Sequence, residues 1–164
     1  MTLKIEKLIE NLSACRDISS IKSHLSNVDL DTSDVTDYVR FESEGYSRNR
    51  VIKTDRFEVL VLCWKPGQKS RIHNHADSIC AFKVIKGALI NTNYRQDGNN
   101  VLFTSANKLS LSQHIVLSGV DNFHKIANDY PGSAVSIHFY SPPIEHYQVA
   151  IQEKDGSLIE GVVL

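Results

Sequence analysis

From about residue 49 onward, short apolar segments alternate with turn signals, and this pattern limits the possible folds more than any other feature of the chain. The segment 57–64, FEVLVLCW, is β-branched and aromatic, which is typical of a mostly buried strand. Turn-favouring pairs punctuate the rest: Pro66-Gly67, Lys86-Gly87, Asp97-Gly98, Ser118-Gly119, Pro131-Gly132 and Asp155-Gly156. Because no helical pattern lies between the strands, the sequence predicts a mainly β fold, an antiparallel sandwich or barrel.

The residues from Leu3 to about Phe41 follow a helical period instead. Two apolar stripes predict two helices, and Asp31 or Ser33 is placed to cap a third, short one. The stripes are Ile5, Leu8, Ile9, Leu12 and Cys15, then Ile18, Ile21, Leu25 and Val28. Further strands are predicted at 70–75, 80–86, 88–95, 100–104, 114–118, 122–128, 134–140 and 147–153. We therefore expect a single domain over residues 1–164, with a helical cap over 1–44 and a β-barrel over 45–164.

Composition excludes several classes of function. The 164 residues carry 18 basic and 19 acidic side chains, so there is no positive excess to bind nucleic acid or a membrane surface. The chain starts with a charged amphipathic segment rather than a signal peptide, and its longest apolar run, 59–64, is too short to cross a bilayer. Three cysteines without a CxxC pattern favour a reducing compartment. We expect a cytoplasmic monomer with no nucleic-acid or membrane partner.

Histidine is the unusual residue, with seven copies. In a strand His73 and His75 share one face, where two imidazoles can bind one metal ion. Glycines lie six residues before His73 and twelve after His75, a frame that makes chance pairing of these histidines improbable. A third ligand is needed, and spacing alone leaves it open among His114, His124 and His138. The metal is open too, since imidazole suits Fe, Zn, Cu and Ni.

These residues resemble the cupin motifs. The segment from Gly67 to Gly87 matches the first motif, G-x5-H-x-H-x4-E-x6-G, except that Cys80 stands where many cupins have glutamate. His124-Lys-Ile-Ala-Asn128 matches the core of the second motif, although only Gly119 remains of its usual Pro-x-Gly approach. The resemblance implies a small antiparallel β-barrel, or jelly roll, beneath the helical cap.

Further blocks resemble the cysteine dioxygenases within that superfamily. They are Tyr46-Ser-Arg48-Asn49, Leu62-Cys-Trp64, the segment Ile72–Cys80, Lys83-Val-Ile-Lys-Gly87 and Val135-Ser-Ile-His138-Phe-Tyr140-Ser-Pro-Pro143. The resemblance implies that Fe(II) is held by His73, His75 and His124. It implies substrate binding by Arg48 and Tyr46, with Arg48 on the carboxylate. It further implies that His138 positions Tyr140, that Cys80 forms a thioether with Tyr140, and that Ser141-Pro142 is cis.

The residues support this chemistry independently. Strand alternation puts Ser136, His138 and Tyr140 on one face of a strand and apolar residues on the other. Three neutral imidazoles leave the full charge of a divalent metal, which favours an anionic ligand such as a thiolate. Non-haem iron oxygenases more often use two histidines and a carboxylate.

We therefore predict an Fe(II)-dependent dioxygenase that converts the thiol of L-cysteine and O2 to cysteine sulfinic acid. One alternative is a dioxygenase for another small thiol such as 3-mercaptopropionate, although such relatives tend to have Gln at the position of Arg48 and Gly at that of Cys80. The others are a zinc-dependent hydrolase and a cupin that binds a ligand without catalysis.

Overall fold

The computed structural model describes residues 1–98 and 100–150, and the backbone of residues 158–162. The helices are α1 (Leu3–Ala14), α2 (Ile18–Asn27) and a 3₁₀ helix (Thr32–Tyr38). The strands are β1 (Ser47–Lys53), β2 (Glu58–Trp64), β3 (Ile72–His73), β4 (Ile79–Lys86), β5 (Leu89–Asp97), β6 (Asn100–Leu109), β7 (His114–Leu117), β8 (Asn122–Ala127), β9 (Ala134–Ser141), β10 (His146–Ala150) and β11 (Leu158–Val162).

The strands form two antiparallel sheets. One has five strands in the order β1-β2-β9-β4-β7, and the other has six in the order β11-β10-β3-β8-β5-β6. Apart from the consecutive pairs β1-β2, β5-β6 and β10-β11, neighbours in each sheet come from distant parts of the chain, as in a jelly roll. The mainly β architecture with helices at its N-terminal end is therefore confirmed. None of the described helices is long and apolar enough to cross a membrane.

Alternation along the central strands separates two cores. In β2, Val59, Val61 and Cys63 face the helices, whereas Leu60, Leu62 and Trp64 face the barrel interior. All seven residues of this strand are buried, because β1 and β9 flank it and both of its faces are covered. The sequence prediction of a mostly buried strand is confirmed. The same alternation in β9 sends His138 and Tyr140 inward, where the candidate site lies.

The helical cap packs through the predicted stripes. Ile5, Leu8, Ile9 and Leu12 of α1 and Ile21 and Leu25 of α2 are buried against the outer face of the five-stranded sheet. Asp31 caps the third helix, and its carboxylate accepts a bond from the Ser33 amide at 2.6 Å. Lys83 of β4 links the five-stranded sheet to the helical cap, because its Nζ donates to the Leu25 carbonyl of α2 at 2.7 Å.

Several strand predictions need correction. β1 was not predicted as a strand, because five of its seven residues are polar and it lies at a sheet edge. β6 extends to Leu109 instead of 104, since it pairs along its whole length with β5. β11 was not predicted at all, and residues 151–153 of the segment expected at 147–153 lie outside the described residues.

The strand expected at 70–75 is reduced to the two residues of β3. His75 lies beyond its end, and Ala76, with φ of 48°, begins the turn that follows. The chain stays extended as far as Asn74, whose amide donates to the Gln148 carbonyl of β10 at 3.1 Å. The two histidines therefore come together through an extended segment that leaves the sheet, not through strand alternation.

Candidate metal centre and substrate cavity

Three histidines converge inside the barrel. His73 ends β3, His75 follows it, and His124 lies in β8 directly opposite His73 in the strand register. One ring nitrogen from each lies within 4.8 Å of the others. Among the described residues, this is the one group of at least three His, Cys, Asp or Glu side chains whose ligand atoms lie close enough together to hold one metal ion. Register therefore brings His124 to the pair, whereas sequence spacing had left His114 and His138 equally open.

In the His73 and His124 rings, a hydrogen bond to Nδ1 determines that Nε2 is the nitrogen free to bind a metal. His73 Nδ1 lies 2.9 Å from the Arg71 carbonyl, and His124 Nδ1 lies 2.7 Å from Asn91 Oδ1. Both partners are acceptors, so each Nδ1 carries the proton and each Nε2 keeps its lone pair. Metal-binding histidines in proteins are usually oriented in this way.

The spacing of the free nitrogens suits one metal ion. His124 Nε2 lies 3.2 Å from His75 Nε2. Two nitrogens each bound at the usual 2.0–2.1 Å to one ion are roughly 2.9–3.4 Å apart for bond angles near 90–109°. The donor set therefore fits a divalent transition metal, and three ligands leave positions open for substrate.

Burial keeps the imidazoles neutral, as metal binding requires. Burial is the main cause that lowers the pKa of His73 to about 4; the Arg48 charge contributes in the same direction, and the hydrogen bond to the Arg71 carbonyl opposes it. Burial also holds the pKa values of His75 and His124 well below the ordinary histidine range, and the neighbouring histidines add to the effect. All three rings are thus neutral, with one ring proton each, near neutral pH.

Asn91 is a site residue that the sequence prediction missed. It is completely buried in β5, and its amide nitrogen donates to Asn93 Oδ1 at 2.8 Å, which turns its own oxygen towards His124. Asparagine is disfavoured in strands. The Asn-x-Asn pattern inside a predicted strand was therefore the signal that could have revealed it.

A chain of hydrogen bonds runs through the interior face of β9. Trp64 Nε1 donates to Ser136 Oγ at 3.0 Å, Ser136 Oγ lies 2.8 Å from His138 Nε2, and His138 Nδ1 lies 3.2 Å from the Tyr140 hydroxyl. Tryptophan can only donate, so Ser136 Oγ accepts from it, and the Ser136 hydroxyl can donate to His138 Nε2. In that arrangement His138 Nδ1 donates to the Tyr140 hydroxyl, which keeps its own proton for a hydrogen bond to Cys80 or to a ligand in the cavity.

Cys80 and Tyr140 occupy paired positions on neighbouring strands β4 and β9. Side chains at such positions have Cβ atoms about 4.5–5.5 Å apart. Burial raises the pKa of the Cys80 thiol, while a hydrogen bond from Tyr140 and the charge of Arg48 act in the opposite direction. Cys80 is therefore a neutral thiol beside the Tyr140 ring. The Ser141–Pro142 bond is cis, as expected.

A cavity of about 300 Å³ opens onto the histidines. Its wall includes Tyr46, Arg48, His138, Tyr140 and Tyr147 as well as His73 and His124. Tyr46 stacks on Trp64 with ring centroids 4.2 Å apart. No Asp or Glu from the described part of the chain lines the cavity, and Arg48 forms no ion pair with a described carboxylate. The cavity is suited to an anionic ligand.

The comparison with protein families is decisive at this point. Residues 4–152 match the model of the family described as cysteine dioxygenase type I. The chain belongs to this family. The match covers both the helical cap and the strands that carry the three histidines, so the family resemblance suggested by the separate motifs is confirmed.

Curated members of the cysteine dioxygenase family give the scale of the similarity. The chain is 32% identical over 113 residues to cysteine dioxygenase type 1 of Rattus norvegicus, which covers 66% of the chain and 56% of that protein. It is 26% identical over 152 residues to cysteine dioxygenase type 1 of Danio rerio, covering 86% of the chain and 76% of that protein. The aligned part of the chain thus spans little more than half the length of the rat relative.

Solved structures support the fold. A protein with a double-stranded β-helix domain from Klebsiella pneumoniae superposes with a TM-score of 0.55 at 18% identity, covering 79% of this chain and 95% of that one. A sugar phosphate isomerase of the cupin superfamily from Silicibacter pomeroyi gives 0.54 at 17% identity, covering 73% and 77%. At these identities the likeness concerns the cupin fold alone.

Of the remaining histidines, His114 and His146 lie away from the cavity. His114, one of the three candidates for a third ligand, contacts Ser26 of the helical cap through its Nε2 at 3.3 Å. His146 is exposed at the start of β10. His138 lines the cavity but is engaged on both ring nitrogens, by Ser136 and Tyr140. The residues named by the family resemblance thus lie around the three histidines, and the structure adds Asn91 and Tyr147 beside them.

Proposed function

We propose that this protein is an Fe(II)-dependent dioxygenase that converts the thiol of L-cysteine to cysteine sulfinic acid. The observation that carries the proposal is the three-histidine group opening into a cavity whose charged lining side chains among the described residues are all cationic. A cysteine carries a thiol for the metal and a carboxylate for a cation, so it matches both ends of this cavity.

In this proposal His73, His75 and His124 hold the metal. Bound there, Fe(II) would supply redox chemistry for the reaction of a thiol with dioxygen. The absence of a carboxylate ligand favours an anionic substrate group, because three neutral imidazoles do not reduce the charge of the ion. Overall, both atoms of O2 become bonded to sulfur, which loses four electrons as O2 gains four, so cysteine and O2 alone account for cysteine sulfinic acid.

Arg48 and Tyr140 orient the substrate. The Arg48 guanidinium can grip the carboxylate with two parallel hydrogen bonds, and Tyr46 packs beside it on Trp64. Burial keeps the pKa of Tyr140 well above that of an ordinary tyrosine, so the hydroxyl stays protonated. When the hydroxyl accepts from His138 Nδ1, its own proton is available to the cavity once it is not shared with Cys80, and it can be donated to sulfur or oxygen of the reacting pair.

Oxygen uptake with product analysis tests the proposal. The iron-reconstituted chain should consume one O2 per cysteine and yield the sulfinate. Stoichiometric zinc, with hydrolysis and without oxygen uptake, would favour the hydrolase alternative. Bound iron without uptake for any small thiol would favour a ligand-binding cupin.

A second candidate substrate, 3-mercaptopropionate, has the same carboxylate and thiol but no amine. Arg48 and Cys80 both argue against it, since family members with that substrate tend to have Gln and Gly there. A higher kcat/KM for 3-mercaptopropionate than for cysteine would replace our choice of substrate. We also propose a cytoplasmic location, because all three cysteines are free thiols, and a monomeric state, which sedimentation would check.

We expect a thioether bond between Cys80 Sγ and the Tyr140 ring carbon beside the hydroxyl. Its formation removes two hydrogens, which O2 accepts as hydrogen peroxide. During turnover with cysteine, iron and O2, intact mass spectrometry should show a growing species two hydrogens lighter, and peptide analysis should join the two residues. Cys80→Ala should retain reduced activity, whereas Tyr140→Phe should lose more, because it removes the hydroxyl itself. Absence of the lighter species in an active preparation would contradict the bond.

Asn91 should matter for metal affinity although it does not touch the metal. Partners that orient a histidine ligand typically contribute 10–100-fold to metal affinity or activity. Asn91→Ala removes the acceptor for His124 Nδ1, so we expect an iron dissociation constant raised by about 10–100-fold. Competitive chelator titration measures it, with Asn107→Ala on the exposed part of β6 as the control. Unchanged iron affinity in Asn91→Ala would show that the His124 ring needs no hydrogen-bond partner at Nδ1 to bind the metal.

A further inference from the structure

Tyr147 is a cavity residue to which neither the motifs nor the family blocks assign a role. It lies in β10, half-buried, and its ring meets the edge of the His73 ring at a centroid distance of 6.0 Å and an interplanar angle of 79°. It lines the cavity together with Tyr46 and Arg48. A large aromatic ring therefore lines the cavity beside a candidate metal ligand.

The position of this ring is fixed by the strand register. β10 pairs with β3, with Val149 opposite His73. Residues two apart in a strand share a face, so Tyr147 lies on the same side of the sheet as Val149 and therefore as His73.

Asn74 couples Tyr147 to the metal ligands. It lies between His73 and His75 and is only 1% exposed. The backbone N–H of Asn74 donates to the backbone carbonyl of Gln148 at 3.1 Å. The side-chain Oδ1 of Asn74 accepts from the backbone N–H of Gln148 at 2.8 Å, and its Nδ2 donates to Gln148 Oε1 at 3.0 Å. These three bonds anchor the strand that carries Tyr147 to the segment that carries His73 and His75, so this wall of the cavity is tied to the metal ligands.

The volume of the cavity does not by itself limit the length of a substrate. At about 30 Å³ per water in the liquid, a cavity of about 300 Å³ is roomy for cysteine, which has seven non-hydrogen atoms. Total volume therefore does not exclude a longer thiol. Discrimination must come from where the walls stand relative to Arg48 and the histidines.

We propose that the Tyr147 ring sets the size limit for the substrate, admitting a thiol carboxylate of the length of cysteine and excluding homologues that are longer by a methylene. This inference rests on the proposed function, because it takes the carboxylate to lie at Arg48 and the thiol at the three histidines. Tyr147 is then a specificity-determining residue.

Anaerobic binding to the iron-loaded full chain tests the proposal without turnover. Calorimetry would give dissociation constants for L-cysteine and L-homocysteine in the wild type, in Tyr147→Ala and in Tyr147→Phe. One methylene in a tight pocket is worth about 10–200-fold. We expect Tyr147→Ala to reduce the preference for cysteine over homocysteine by about 10-fold or more. Tyr147→Phe keeps the ring and should keep the preference, as should Tyr130→Ala, which removes a tyrosine outside the cavity.

The outcomes separate this proposal from the function on which it rests. If the wild type binds cysteine but the preference is unchanged in Tyr147→Ala, the wall proposal is wrong and the function stands. If Tyr147→Phe relaxes the preference as much as Tyr147→Ala, the hydroxyl and not the ring discriminates, and the proposal is again overturned. Tyr147→Leu serves as a second truncation, and loss of iron in both truncated variants would make Tyr147 a support for His73 instead. A wild type that binds no cysteine would defeat the proposed function itself.

Discussion

Replacing His124 with Ala is expected to abolish stoichiometric iron binding, the largest effect of any single substitution considered for this protein. The change leaves two imidazoles, and it also removes the ring whose Nε2 stands 3.2 Å from that of His75. Two ligands on one short segment no longer surround an ion. Anaerobic reconstitution followed by elemental analysis should give iron contents near one per chain for the wild type and near zero for His124→Ala. His73→Ala and His75→Ala should behave alike.

His114→Ala is the matched control for the loss of His124. It also removes an imidazole from a strand, but from one that faces the helical cap and contacts Ser26. Its iron content should equal that of the wild type. Retained stoichiometric iron in His124→Ala would move the third ligand elsewhere, and His138 would be the next candidate because it lines the same cavity.

Replacing Arg48 with Ala should lower kcat/KM for cysteine by about 10–150-fold. A charge-assisted bidentate contact is worth roughly 1.5–3 kcal/mol, and about 1.4 kcal/mol corresponds to each factor of ten. Arg48 has no described carboxylate as an ion-pair partner, so its guanidinium is not committed elsewhere. The loss should be specific to substrates with a carboxylate, and steady-state oxygen uptake measures it.

Cysteamine provides the internal control for Arg48. It has the thiol and amine of cysteine but no carboxylate, so Arg48→Ala should leave its oxidation almost unchanged. Arg50→Ala is a matched protein control, because Arg50 lies in the same strand but is paired with Glu58 at 2.8 Å and does not line the cavity. Equal losses for cysteine and cysteamine in Arg48→Ala would show that Arg48 has a role other than holding the carboxylate.

Much of the fold could be predicted because its signals are local. The apolar stripes of α1 and α2 and the alternation in β9 follow from the geometry of helix and strand, so each predicted buried face is the observed one. The edge strand β1 escaped prediction for the same reason. Its Arg-Asn-Arg sequence carries no apolar alternation, and pairing with β2 alone makes it a strand.

The candidate site likewise contains residues that could be predicted from the sequence and residues that could not. Its histidines could be found because few other uses explain two histidines framed by glycines, and Gly87 shows the frame to be structural. The φ of Gly87 is 72°, and a Cβ at this position would lie 2.8 Å from the Ser133 carbonyl oxygen, so a larger residue does not fit here. The Asn-x-Asn pattern could have drawn attention to Asn91, but nothing adjacent to Asn91 or Tyr147 in the sequence indicates which site residue each one contacts.

By itself the sequence determined which side chains are available and, in the strongly apolar strands β2 and β9, which face they occupy, because both depend on short-range backbone geometry. The tertiary structure decided which of these faces meet. Backbone hydrogen bonds are the same for every pairing of strands, so register is set by burial of side chains across the whole barrel. That register places His124 opposite His73 and Cys80 opposite Tyr140, and leaves His114 against the cap. From the residues alone, the choice among His114, His124 and His138 was open for this reason: it depends on contacts between strands far apart in the chain.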